Sequence, residues 1–160
     1  MDKVVKAYLA RMGKKGGQAS SPAKVKAARK NGLLGGRPPL YKEKTAYQAV
    51  KEVVHGEDWK IAFMDFVDGF RRRPSLVLLK RDPITLKPNP KMYALMQSIC
   101  IQLCLEQGLP VKGWLLKRSF LREPWFVSGL KNFYAMALRE SPVSFRKNNI
   151  FVLENFLSRA

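Results

Sequence analysis

Apolar residues along this chain return mostly every three or four positions, the repeat of a helix with one buried face. Val4, Val5, Tyr8, Leu9 and Met12 predict a helix over residues 3–12, with Gly13 standing where a C-terminal cap would. Ser21-Pro22 then offers a cap and a first-turn proline for a helix over Ala23 to Lys30. Its apolar positions are mostly alanine, so burial would stabilise it little, and about ten residues are marginal alone in water. This segment is expected to fray when free and to order when bound. Pro38-Pro39 closes the stretch.

Glu43 to His55 predicts a helix with Ala46, Tyr47, Val50, Val53 and Val54 on one side, ended by Gly56. Asp58 can cap the next, where Trp59, Ala62, Phe63, Phe66, Val67 and Phe70 keep register, Asp65 and Asp68 face away, and Arg71-Arg72-Arg73-Pro74 stops the run. Residues 75–89 fit a buried turn, a short strand or a continuing helix. Asn89-Pro90 opens the best helix of the chain, with Tyr93, Met96, Ile99, Cys100, Leu103 and Leu105 as its apolar face and Gly108 and Pro110 beyond its end. Trp114-Leu115-Leu116 suggests a short helix, Pro124-Trp125-Phe126 a loop, Leu130 to Arg139 another helix, and Phe151 to Leu157 the closing segment. Strand-like alternation is nearly absent. The expected fold is all-α: a helical body of five or six helices over residues 43–160, behind a flexible, basic, Gly-rich arm over residues 1–42.

Charge changes this picture from architecture to chemistry. The 160 residues carry a formal charge of +18, from 30 Lys and Arg against 12 Asp and Glu. Residues 1–45 hold 12 of those bases and 2 of the acids, so the excess is densest in the arm. Such an excess favours nucleic acid or another acidic partner over a merely solubilising role. Within the arm a short unit recurs, Gly13-Lys14-Lys15-Gly16-Gly17 and then Gly32-Leu33-Leu34-Gly35-Gly36. Bare backbone and cationic side chains both reach phosphate oxygens. Lys14, Lys15, Lys24, Lys26, Arg29, Lys30 and Arg37 are therefore the candidate nucleic-acid contacts, with DNA the expected ligand and RNA the alternative. Gly36-Arg37-Pro38 also matches the core of a minor-groove hook, though Pro39 replaces the usual following base; a linker stiffened by prolines is the competing reading.

Catalytic chemistry finds little to work with. A Ser-His-acid arrangement has only His55 to use, and nothing near it marks a nucleophile turn. Neither glycine unit ends in the lysine-serine or lysine-threonine of a phosphate-binding loop, and no strand precedes either. Asp65 and Asp68 fit a solvated helix side better than a magnesium site. Cys100 and Cys104 fall on one helix face, but two thiols fall short of a four-ligand zinc site, so core packing is expected. No enzyme, metal or cofactor is expected. No apolar run approaches the roughly 20 residues that cross a bilayer, and Met-Asp-Lys opens no signal peptide, so no membrane contact and a cytoplasmic location are expected.

The C-terminal third is rich in aromatics: Trp125, Phe126, Phe133, Tyr134, Phe145, Phe151 and Phe156. Most should be core. Trp125 and Phe126, beside Pro124, together with Arg139, Phe145 and Arg146 around Ser141-Pro142, are the candidate partner-binding residues, since aromatics and arginine dominate interface hot spots.

The arm GKKGGQASSPAKVKAARKNGLLGGRPP resembles the basic leader of small bacterial proteins encoded beside nucleotidyltransferase-type toxins. The segments FMDFVDGFRR, EPWFVSGL and ALRESPVSFRKNNIFVLENFLSRA are similar to uncharacterised bacterial proteins of the same gene neighbourhood. Together they cover about half the chain. The resemblance implies an antitoxin of a toxin-antitoxin or phage-defence module, non-catalytic, masking a cognate toxin and contacting the operator of its own operon. A DNA-binding transcription regulator without a toxin partner is the alternative.

Overall fold

A computed structural model describes residues 3–18, 21–33 and 43–158. The chain divides into two compact units, residues 1–40 and 41–160. The described residues are mostly helical, as the periodicity predicts, and the body is all-α apart from one two-residue strand pair.

The first unit holds α1 (Lys3–Gln18) and α2 (Pro22–Leu33). The sequence places a stop at Gly13, yet α1 runs on through it, because glycine is only a weak breaker where nothing else competes for the backbone. In α2, Ser21 caps as expected: its hydroxyl accepts from Lys24 N at 3.3 Å.

In the second unit, α3 (Ala46–Val54) starts at a capping box. Thr45 Oγ1 accepts from Gln48 N at 3.1 Å, and Gln48 Oε1 accepts from Thr45 N at 2.9 Å. Its buried side is Ala46, Ala49 and Val50, so the face is turned from the expected one and Val54 is exposed. Gly56 follows at φ +100°, a conformation only glycine takes without strain. Asp58 caps α4 (Trp59–Arg72), whose buried residues are those the spacing picks out: Ala62, Phe63, Phe66, Val67 and Phe70. Asp65 and Asp68 are half-buried rather than turned to solvent, and Lys44 Nζ lies 3.5 Å from Asp65.

Residues 75–89 settle into two 3-10 turns, Leu76–Leu79 and Pro83–Leu86, capped by Ser75 and Asp82. Asn89 then caps α5 (Pro90–Glu106). This helix has no single apolar face: eight successive residues, Tyr93 to Cys100, are buried, while Leu105 is exposed. It is the axis of the body, packed against α3, α4, the 3-10 turn Gly113–Leu116 and the C-terminal segment. Leu109 N donates to Cys104 O at 2.8 Å with Gly108 at φ +62°, the left-handed cap that ends the helix.

After a 3-10 turn at Lys131–Phe133 come α6 (Tyr134–Glu140) and the single turn α7 (Val143–Arg146). The expected loop at Pro124-Trp125-Phe126 is instead β1 (Trp125–Phe126), pairing in parallel with β2 (Ile150–Phe151). Two residues show no alternation, so this pairing has no local signature. A 3-10 turn at Glu154–Leu157 closes the described body.

A buried polar network crosses the apolar core. Gln97, 1% exposed, donates through Nε2 to the carbonyls of Trp114 and Lys117, each at 2.9 Å. Its Oε1 accepts from Asn148 Nδ2 at 3.1 Å and from the Ser119 hydroxyl. Asn148 Nδ2 also reaches Ser98 Oγ at 2.9 Å. Among the described residues every buried side-chain nitrogen and oxygen has a hydrogen-bond partner, the condition for burial without a large penalty.

Candidate nucleic-acid and partner interfaces

The two arm helices are chemically unlike. On α1, Val4, Val5, Tyr8, Leu9 and Met12 are all exposed and fall on one side of the helix, with Lys6 and Lys14 among the exposed cations. On α2, Lys24, Lys26, Arg29 and Lys30 are exposed, and so is Val25 among them. No acidic residue lies between Lys3 and Arg37. α2 is thus a short cationic rod spanning about 18 Å by its rise, long enough to meet several successive phosphates. Arg37, the hook Gly36-Arg37-Pro38 and the side chain of Lys15 lie outside the described residues.

The partner-binding set is split by the fold. Phe145 is fully buried, edge-on to Phe156 at 5.8 Å, and is a core side chain rather than a surface contact. Its place on α7 turns it toward α5, which the sequence spacing alone does not reveal. Trp125 and Phe126 are half-buried in β1. Phe126 stacks on Tyr134 at 3.9 Å and on Phe151 at 5.0 Å, a three-ring column that ties β1, β2 and α6. Trp125 packs against the core, with Lys91 Nζ 5.7 Å from its ring centroid. Arg139 and Arg146 are exposed. Ser141 is buried, its hydroxyl donating to Ile150 O at 3.4 Å and accepting from Val152 N at 3.3 Å, so the Ser141-Pro142 turn holds β2 rather than presenting a loop.

Titratable groups with shifted acidity are occupied in holding the fold. Burial alone would raise the Asp82 carboxyl, but Lys117 Nζ at 2.7 Å and the Ile84 N–H at 2.9 Å outweigh it and hold it below the ordinary range. Burial, then the Asp82 charge, pushes the Tyr93 phenol well up; its hydroxyl donates to Asp82 Oδ1 at 3.2 Å. Burial lowers Lys44, yet Glu52 at 2.6 Å, with Asp65, reverses the sign and leaves it raised. Cys100 and Cys104 are both buried free thiols; burial raises both, and Cys104 adds to the rise of Cys100. Cys100 Sγ lies 3.7 Å from Met96 Sδ, a core contact. His55 is exposed, with Nδ1 2.7 Å from Lys51 O. Among the described residues no group of three or more His, Cys, Asp or Glu is placed to hold a metal, and no helix is long and apolar enough to cross a membrane.

Comparison with protein-family models, curated proteins and solved structures returned no match.

Proposed function

We propose that this protein is a non-catalytic, antitoxin-like partner of a bacterial toxin that also contacts nucleic acid through its N-terminal arm. The observation that carries the nucleic-acid half is α2, with four exposed cations in a stretch of sequence that holds no Asp or Glu between Lys3 and Arg37. Phosphate contact by Lys24, Lys26, Arg29 and Lys30 releases counterions, so DNA affinity should fall with salt at a log-log slope of about −4 to −5 once Lys14 is included. Changing the four α2 bases to Gln should flatten the slope by roughly 3 to 4. An unchanged slope would move the contact to the body, which is itself basic.

The partner half is supported by exposed Arg139 and Arg146, which lie on α6 and α7, the two helices that pack against β2. Expression of the native operon should co-purify the neighbouring gene's product, and Arg139→Ala/Arg146→Ala should weaken that complex while melting normally. The non-catalytic reading is supported by the engagement of Asp82, Tyr93 and Lys44 in structural contacts. A transcription regulator acting without a toxin is the second reading, favoured by the same α2 cations. A stoichiometric protein in the purified complex excludes it.

A further inference from the structure

A groove of about 350 Å³ lies between the 3-10 turns Leu76–Leu79 and Gly113–Leu116, and none of the body's candidate partner-binding residues lines it. Trp114 and Leu79 are buried among its lining, and Leu76, Val77 and Pro110 complete its apolar surface. Trp114 Nε1 already donates to Leu79 O at 2.7 Å, so the indole brings carbon surface and no free donor. That bond also clips the two turns together, and Gly113 at φ +64° makes the bend that carries Trp114 in. Two cations, Lys80 and Lys112, line the groove, and no Asp or Glu does. Neither lysine has an ion-pair partner among the described residues. Val77 is 72% exposed, and Leu116, next to Leu115 in the lining, is 65% exposed.

We propose that this groove binds a short acidic segment of a partner protein, one large apolar side chain seated among Leu76, Val77 and Trp114 and flanking carboxylates met by Lys80 and Lys112. The charge selects the occupant. A second copy of this chain would bring +18 against a groove that already carries two unpaired lysines. A nucleic-acid strand would satisfy the lysines and leave Val77 and Leu76 in water. An acidic peptide with an apolar anchor satisfies both halves, the anchor by area and the carboxylates by charge. The inference deepens the partner-binding half of the proposed function and rests on it for the partner being a protein.

The test uses the full-length chain and the labelled peptide acetyl-Glu-Asp-Leu-Phe-Glu-Asp-amide, read by fluorescence anisotropy at low salt. Binding should weaken about tenfold or more in Val77→Asp and in Lys80→Glu/Lys112→Glu, and stay unchanged in Leu105→Asp, an exposed control on α5. In the unmodified chain the indole N–H resonance of Trp114 should move on peptide addition, which needs no variant to fold. The proposal is overturned by absence of binding, by binding indifferent to the groove variants, or by loss of binding when the four α2 bases become Gln. Failure of the proposed function reads differently: the neighbouring gene's product fails to co-purify, or the DNA slope is flat, and neither depends on Val77.

Discussion

Gln97 ties α5 to two distant segments of the body through one buried amide. Its amide satisfies two carbonyls from one segment and a carboxamide from another, with 1% of its surface exposed. Gln97→Leu keeps the volume but strands those groups, and should cost about 2–4 kcal/mol in denaturant unfolding. A cost near zero would mean that water replaces the amide. Asp82 gives a pH signature. Its folded-state pKa is lowered, so its contribution is present in full above the ordinary 3.8 and is lost as the pH falls from there through the lowered value. Asp82→Asn should flatten stability against pH below about 4 while leaving neutral stability less affected by a cap that Asn can still supply. Cys100 and Cys104 behave as core: the double Ala variant should lose about 1–3 kcal/mol, and native thiols should resist alkylation at pH 8 until the protein unfolds.

At the scale of elements, cap chemistry holds at five element starts, whereas glycine marks a helix end at Gly56 and Gly108 but not at Gly13. Thr45, Asp58, Ser75, Asp82 and Asn89 all cap the elements that follow them, because a side-chain oxygen satisfies an orphan N–H whatever the tertiary context. Gly13 and Gly69, by contrast, sit inside α1 and α4. A Cβ at Gly69 meets nothing within 4 Å, and its backbone is helical. Gly69→Ala should therefore stabilise the body by about 0.5–1 kcal/mol, seen as a raised melting temperature. A lowered one would show that the helix interior is tighter than its geometry indicates.

At the scale of the molecule, the excess of positive charge opposes compaction, and ion pairs among the described residues offset part of it. Arg71 is the widest-reaching of these: it meets Glu106 through Nη2 at 2.9 Å and Nε at 3.1 Å, and donates to Leu157 O at 2.6 Å, tying α4, the end of α5 and the closing turn. With a net +18, screening of repulsion should outweigh screening of these pairs. Raising NaCl from about 10 to 150 mM should raise the melting temperature. A fall would show the surface pairs to dominate.

What the sequence by itself determined is what depends on near neighbours: helix periodicity, cap residues, the all-α class, the burial of the Cys100 and Cys104 face, and a cationic arm with no acid after Asp2. Those follow from contacts within about four residues. What only the tertiary structure decided depends on residues far apart. Trp125 pairs with Ile150 across 25 positions, Gln97 meets Asn148 across 51, and Trp114 reaches Leu79 across 35. Such contacts follow from how elements stack, so the spacing of Trp125, Phe126 and Phe145 carries no mark of which ring is core and which reaches the surface. The groove beside Trp114 is legible for the same reason only in the fold: Leu76, Val77, Pro110 and Lys112 come from two segments that neither periodicity nor motif joins.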